Sequence, residues 1–177
     1  QGDWSSDVCS SDLKPGELDA MRRVTGLNTD HDGKVVYTPE SVKRSNRIRN
    51  EKIHVVRRAL KSPEMFGDEV GDVLVVSWGS SRGVLEESVR LAREEGLSVS
   101  GLHLKIVYPL PLMLKDIFKR FKRVFILEIA YGDELKHSPL STMLRAETLC
   151  DVQSLITDPT GRPMKPKSVL EKIRTVV

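Results

Sequence analysis

The sequence predicts an α/β domain of three layers, α/β/α, built on a mostly parallel sheet, and three observations carry that reading. The first is the stretch Asp72-Val73-Leu74-Val75-Val76-Ser77-Trp78-Gly79-Ser80-Ser81-Arg82-Gly83. A β-branched apolar run there ends in a glycine-bounded, hydroxyl-rich turn, and a charged amphipathic segment follows at once, as when a buried parallel strand feeds a helix. The second is recurrence: apolar runs return downstream, separated by helix-length segments of ~10–15 residues, the spacing of right-handed crossovers with helices on both faces of a sheet. The third is composition. A chain of 177 residues, 39% hydrophobic and 30% charged, is long enough for one domain with a proper core. The topology class these features describe is Rossmann-like.

The same composition bounds the function. A net charge of +3 is too slight to argue for nucleic acid by itself. No apolar run approaches the roughly 20 residues that a membrane helix needs, and the polar, acidic amino terminus is unlike a signal peptide. Cys9 and Cys150 form neither a metal spacing nor a disulfide framework. The expectation is a cytoplasmic protein with no membrane and no nucleic-acid partner. Gln1 is not a start methionine, so a fragment is expected. Residues 2–13 (GDWSSDVCSSDL) carry the near-repeat Ser5-Ser6-Asp7 and Ser10-Ser11-Asp12 and no usable periodicity. They resemble the conceptual translation of a common sequencing-adapter oligonucleotide. Residues 1–13 are therefore set aside as an artefactual or disordered tail, which leaves Cys150 as the natural thiol.

Residues 14–66 read as an amino-terminal extension with a basic helix, and residues 67–177 as the compact domain. Asn28-Thr29-Asp30-His31-Asp32-Gly33 copies the front half of a calcium loop, but Pro39 stands where the closing glutamate belongs and Glu40 is one residue late. A turn is the better reading, because half a ligand set cannot hold calcium. Lys34 to Tyr37 reads as a short strand. Thr38-Pro39-Glu40 then opens a helix with a hydroxyl cap, a first-position proline and a first-turn acid. That helix runs to about Leu60, with Ile53, Val56 and Leu60 sharing an apolar face. Its other faces carry a basic stripe from Lys43 to Lys61, preceded by Glu40, interrupted by Glu51 and lacking aromatic residues. A solvated or subunit-facing surface is preferred to a nucleic-acid site on that ground.

Ser62 to Gly71 reads as a linker, and the opening strand is Asp72 to Ser77. A helix follows from about Arg82 to Glu95, its apolar face including Val84, Leu85, Val89 and Ala92, and Gly96 stops it. Leu97 to Val107 is the second strand, closed by Tyr108-Pro109-Leu110-Pro111, with Pro111 able to start the next helix. Arg123 to Ile129 is the third strand. A helical stretch follows from Asp133 to Leu149, with Pro139 as an early interruption. Val152 to Ile156 is the fourth strand, and a last helix runs from about Lys167 to Thr175 with Ser168 as its cap.

Ligands of such sheets bind beyond the carboxyl ends of the strands. Gly79, Ser80, Ser81, Arg82 and Gly83 form the candidate anion or subunit-contact loop, because backbone donors, hydroxyls and a cation meet there at a helix amino terminus. The loop is neither a P-loop nor a dinucleotide fingerprint, for the lysine and the GxG pair are missing. Glu128, Tyr131 and Asp133 are candidate strand-end contacts. No nucleophile stands near Glu128, Asp133 or Glu134 in sequence, and no histidine pair has metal spacing. No catalytic and no metal-binding residue is assigned.

Five stretches together carry a resemblance. They are Arg23-Val24-Thr25-Gly26-Leu27 with the acidic turn after it, Val76 to Gly83, Tyr108 to Pro111, Leu127-Glu128-Ile129-Ala130-Tyr131-Gly132-Asp133-Glu134-Leu135, and Thr160-Gly161-Arg162-Pro163. In this order, over Lys14 to Val177, they resemble the alpha subunit of 2-oxoacid:ferredoxin oxidoreductases, the 2-oxoglutarate type in particular. The resemblance implies a transketolase-C-terminal-like domain with a five-stranded, mostly parallel sheet. It also implies a holoenzyme that decarboxylates a 2-oxoacid oxidatively on thiamine diphosphate with magnesium. Electrons would pass through iron–sulfur clusters to ferredoxin, and the acyl group to coenzyme A. The implied partners are the rest of the alpha subunit and the beta and gamma subunits. The resemblance implies that the thiamine-binding and substrate-carboxylate residues lie upstream or on the beta subunit, and the cysteine pairs of a cluster are lacking, so no cofactor is expected on this chain. Its expected role is to brace the catalytic domain and form subunit contacts. The competing expectations are a free-standing Rossmann-like module binding a phosphorylated small molecule at Gly79 to Gly83, and a nucleic-acid binder using Lys43 to Lys61.

Overall fold

A computed structural model describes residues 26–30, 34–131, 137–158 and 160–177. The 1–13 tail, the middle of the calcium-like turn, Asp133 and Glu134 lie outside the described residues. The chain divides into two units, Gln1–Lys52 and Ile53–Val177.

In the first unit, the stretch read as a strand makes one isolated bridge, Thr29 to Val35. Asp30 turns its carboxylate onto its own loop, where Oδ1 accepts the Lys34 N–H at 2.8 Å. Helix α1 spans Pro39–Ala59, its residues from Ile53 on counting with the second unit, and opens as its sequence predicts, with Thr38 Oγ1 accepting the Ser41 N–H at 3.3 Å. The expected apolar face differs. No residue of α1 is buried, Ile48, Val55 and Val56 are exposed, and Leu60 falls beyond the helix end.

The second unit holds one five-stranded sheet of order β1-β3-β2-β4-β5. Its strands are β1 (Glu64–Phe66), β2 (Gly71–Trp78), β3 (Val99–Leu104), β4 (Phe121–Glu128) and β5 (Val152–Thr157). All neighbours pair in parallel except β1, which runs antiparallel to β3 with Glu64 opposite His103. The linker expectation for Ser62 to Gly71 is thereby corrected, because Glu64–Phe66 within it form the edge strand and Gly71 opens β2. Three residues without alternating hydrophobicity give no strand signal of their own, and β1 exists through its partner.

Alternation along β2 divides the core. Leu74 and Val76 meet one layer, helices α3 (Leu114–Phe118) and α4 (Pro139–Thr148), through Leu114, Ile117, Phe118, Leu140 and Leu144. Val73 and Val75 meet the other, helices α2 (Arg82–Glu94) and α5 (Pro166–Arg174), through Leu85, Val89, Ala92, Val169 and Ile173. Each such side chain, wholly removed from water, contributes about 1.5–3 kcal/mol of transfer free energy. The three-layer sandwich expected from the sequence is the observed fold.

Three helix starts differ from expectation. Pro111 does not begin α3, which starts at Leu114. Pro139 occupies the first turn of α4, after the non-helical His137 and Ser138, where its missing N–H costs nothing, with Ser138 Oγ accepting the Ser141 N–H at 3.4 Å; residues 133–136 of the expected helix lie outside the described residues. Ser168 is inside α5, whose cap position is Lys165 and whose first turn holds Pro166.

Candidate functional site

The chain leaves β2 for β3 on one side of the sheet and returns to β4 on the other, so the carboxyl ends of β2 and β4 form a topological switch point. The turn after β2 is a short 3₁₀ segment, Gly79–Ser81. Gly79 takes φ +63°, a left-handed conformation that a side chain would strain. Ser81 Oγ donates to the Trp78 carbonyl at 2.6 Å and does not cap the helix that follows. Ser80 and Gly83 are exposed.

Arg82 leads away from this turn. Its Nη2 donates to Glu64 Oε1 at 2.8 Å, and its guanidinium lies 5.9 Å from the centroid of the Phe66 ring, so both contacts tie α2 to β1. Replacing Arg82 with alanine should cost under about 1 kcal/mol of global stability, as partly exposed ion pairs do. Hydrogen exchange at Glu64 to Phe66 should nonetheless accelerate, since β1 is only three residues long and Arg82 contacts both of its ends. Unchanged exchange there would show that pairing with β3 alone suffices.

Glu128, the last residue of β4, is buried. Its Oε1 accepts the Leu140 N–H at 3.0 Å, in the first turn of α4, and its Oε2 accepts the Trp78 indole N–H at 3.1 Å. One carboxylate thus joins β4, the start of α4 and the end of β2. Tyr131 is exposed beyond β4, and Asp133 lies outside the described residues. The structure therefore brings Glu128 to the Gly79–Ser81 turn through Trp78 and directs Arg82 elsewhere.

A pair the sequence did not single out lies one strand over. Ser77 and His103 stand opposite each other in the β2–β3 register, both buried, with Ser77 Oγ and His103 Nδ1 3.0 Å apart. Burial holds the imidazole below its ordinary value of 6.5; Arg82 and Lys105 act in the same direction and Glu64 opposes them. A histidine that binds its proton less readily when folded stabilises the fold above the unfolded pKa, and that contribution is lost progressively below about pH 6.5. Urea unfolding between pH 7.5 and 5 should show a decline that is shallower in His103→Gln. Identical slopes would remove His103 as its source. The carboxylates lowered by arginine or lysine partners, such as Asp72 beside Lys122 and Glu95 beside Arg174, lose their contribution in a more acidic window.

The switch point offers little room. One hollow of about 110 Å³ is lined by Trp78, the Gly79–Ser81 turn and Ile129. A second, of about 200 Å³, lies between Ser80, Val84, Gly161 and Met164. Sites for small molecules and cofactors enclose roughly 300–1,000 Å³. The outer surface is conspicuously apolar instead. Trp78 (40% exposed) ends β2, Ile106 (40%), Tyr108 (73%) and Leu112 (59%) follow β3, and Tyr131 (75%) follows β4. Among the described residues, no group of three His, Cys, Asp or Glu side chains is placed to hold a metal ion, and no helix is long and apolar enough to cross a membrane.

No protein-family model matches the chain. It is 32% identical over 145 residues, 80% of its length, to the 2-oxoglutarate oxidoreductase subunit KorA of Mycobacterium tuberculosis. It is 30% identical over 115 residues to the alpha subunit of 2-oxoacid:ferredoxin oxidoreductase 1 of Aeropyrum pernix. The chain is homologous to 2-oxoacid:ferredoxin oxidoreductase alpha subunits. Among solved structures it resembles a 2-oxoglutarate:ferredoxin oxidoreductase of Magnetococcus marinus, determined with 2-oxoglutarate, coenzyme A and succinyl-CoA bound. The TM-score is 0.74 and the identity 27%, over 91% of this chain and 27% of that one. The homology to 2-oxoacid:ferredoxin oxidoreductases agrees with the resemblance carried by Val76 to Gly83, Tyr108 to Pro111 and Leu127 to Leu135. It applies to a part of the subunit, since the chain spans 21% and 17% of the lengths of these two curated relatives.

Proposed function

We propose that this chain is a non-catalytic, supporting part of the alpha subunit of a 2-oxoacid:ferredoxin oxidoreductase, with 2-oxoglutarate as the substrate of the assembly. The observation that carries the reading is the switch point. Its buried carboxylate is spent on Trp78 and α4, its arginine is spent on β1, and its outer surface is aromatic. Aromatic side chains dominate the energetics of protein interfaces, so this end of the sheet suits contact with the rest of the alpha subunit and with the beta and gamma subunits. The compartment is the cytoplasm, and ferredoxin is a partner through the assembled enzyme.

The residues present do not fit an iron–sulfur cluster. Two cysteines in the sequence cannot furnish the four thiolates of an iron–sulfur cluster. Coenzyme A is a co-substrate of the assembly and is assigned no residue on this chain.

The test is assembly. Tyr108→Ser and Tyr131→Ser, introduced together into the complete complex, should raise the dissociation constant of this subunit about tenfold, the loss of ~1.4 kcal/mol that two interface aromatics readily supply. Thiamine diphosphate bound per assembled complex should stay unchanged. Unaltered assembly, together with saturable micromolar binding of ADP to the chain at Gly79 to Gly83, would favour the free-standing phosphate-binding module.

A further inference from the structure

We propose that a second cleft, formed where the chain enters β1 and leaves β3, binds a small molecule carrying one anionic group on an apolar body. The cleft encloses about 420 Å³, within the range of small-ligand sites and well above either hollow at the switch point. Leu60, Pro63, Leu104, Ile106 and Pro111 supply apolar wall.

Charge decides the ligand class. Lys61, Glu64 and Lys105 line the cleft, and the glutamate is already engaged. Arg82 holds its Oε1 at 2.8 Å, and Lys105 stands 3.9 Å from Oε2. Lys61 enters none of the ion pairs among the described residues. His103, also on the wall, is held toward its neutral form by burial. The lining therefore keeps an excess of positive charge beside apolar surface, which complements a carboxylate or phosphate monoester on a short aliphatic or aryl body.

A larger hollow of about 530 Å³ along α2 lacks this property. Its arginines are paired on the spot, Arg90 with Glu87 and Glu94, and Arg93 with Asp68.

The experiment is a titration of the full ¹⁵N-labelled chain, followed by amide chemical shifts. The probes are 3-phenylpropionate, phenyl phosphate and the neutral 3-phenyl-1-propanol. Either anion should produce saturable shifts confined to Lys61, Ser62 and the Lys105–Ile106 segment, with Kd on the order of 1 mM for probes of this size. The better of the two names the head group. The alcohol should bind about fivefold more weakly. Lys61→Glu should weaken the preferred anion about fivefold, and Lys61→Glu with Lys105→Glu about tenfold or more. Lys61→Glu removes no partner within the fold, so its spectrum should otherwise match the parent. The proposal fails if neither anion saturates, if the alcohol binds equally well, if the lysine variants change nothing, or if the shifts map elsewhere.

Discussion

Replacing Glu128 with alanine should lower the free energy of unfolding by about 3–5 kcal/mol, measured by urea denaturation at pH 7. The side chain is 1% exposed and both its oxygens accept hydrogen bonds. Its removal strands the Leu140 N–H in the interior, at about 1–3 kcal/mol for an unsatisfied buried donor, and leaves a cavity besides. The Trp78 indole loses its acceptor too, although its exposure lets water replace part of that bond. Glu128→Gln keeps the volume but exchanges one acceptor for a donor, so one of the two N–H groups then faces another N–H. The expected cost is about 1–3 kcal/mol. A second readout separates this bridge from packing. In a Trp4→Phe background, Trp78 is the one remaining tryptophan, and its indole N–H resonance should move in Glu128→Gln. A Glu128→Ala loss below about 1 kcal/mol with an unmoved indole would mean that the bridge does not hold the two strand ends together.

The fold was legible where burial writes itself into sequence. Val73 to Val76 and Val124 to Leu127 are continuous apolar runs because both faces of their strands are covered, and the amphipathic period of α2 follows from packing one face on the sheet. What failed to show was what depends on partners. Strand β1 is fixed by β3, whose residues follow it by more than 30 positions, and nothing within Glu64-Met65-Phe66 marks it. Pro139 carried two opposite local meanings, and only the Ser138 cap decides between them.

The site divides in the same way. The glycine turn and the strand-end acid could each be located, since strand ends are where apolar runs stop. The contact between Trp78 and Glu128 spans 50 positions and is set by the parallel pairing of β2 with β4. The meeting of Ser77 with His103 across 26 positions is likewise set by β2 and β3. Arg82 shows the limit most plainly. Its place at a helix amino terminus suggested an anion ligand, but a long side chain reaches sideways, and an acid on an unforeseen strand claimed it.

Gly101→Val should cost about 3 kcal/mol, and the reason reaches the switch point. Gly101 lies inside β3, opposite Val75 of β2 and Phe66 of β1. A glycine within a strand often marks the close approach of another element, and here that element is α2. A Cβ at this position would stand 3.1 Å from Leu85 Cγ and from Val89 Cγ2, both buried on that helix. Alanine asks these side chains to yield by tenths of an ångström, and the stiffer unfolded chain offsets part of the cost, so about 1 kcal/mol is expected. Valine adds two methyl groups beyond a Cβ that is already crowded, and α2 is expected to shift at the cost of overpacking. Because α2 follows directly from the Gly79–Ser81 turn, a shift of the helix also displaces that turn, and hydrogen exchange at Gly79 to Ser81 should accelerate in Gly101→Val but not in Gly101→Ala. The partner is identified by a double-mutant cycle. Leu85→Ala alone should cost about 2–5 kcal/mol by leaving a cavity. Combined with Gly101→Val it should cost at least 1 kcal/mol less than the sum, because the valine methyls enter the space that Leu85 vacates. Strict additivity would mean that the packing of α2 on β3 does not explain the glycine.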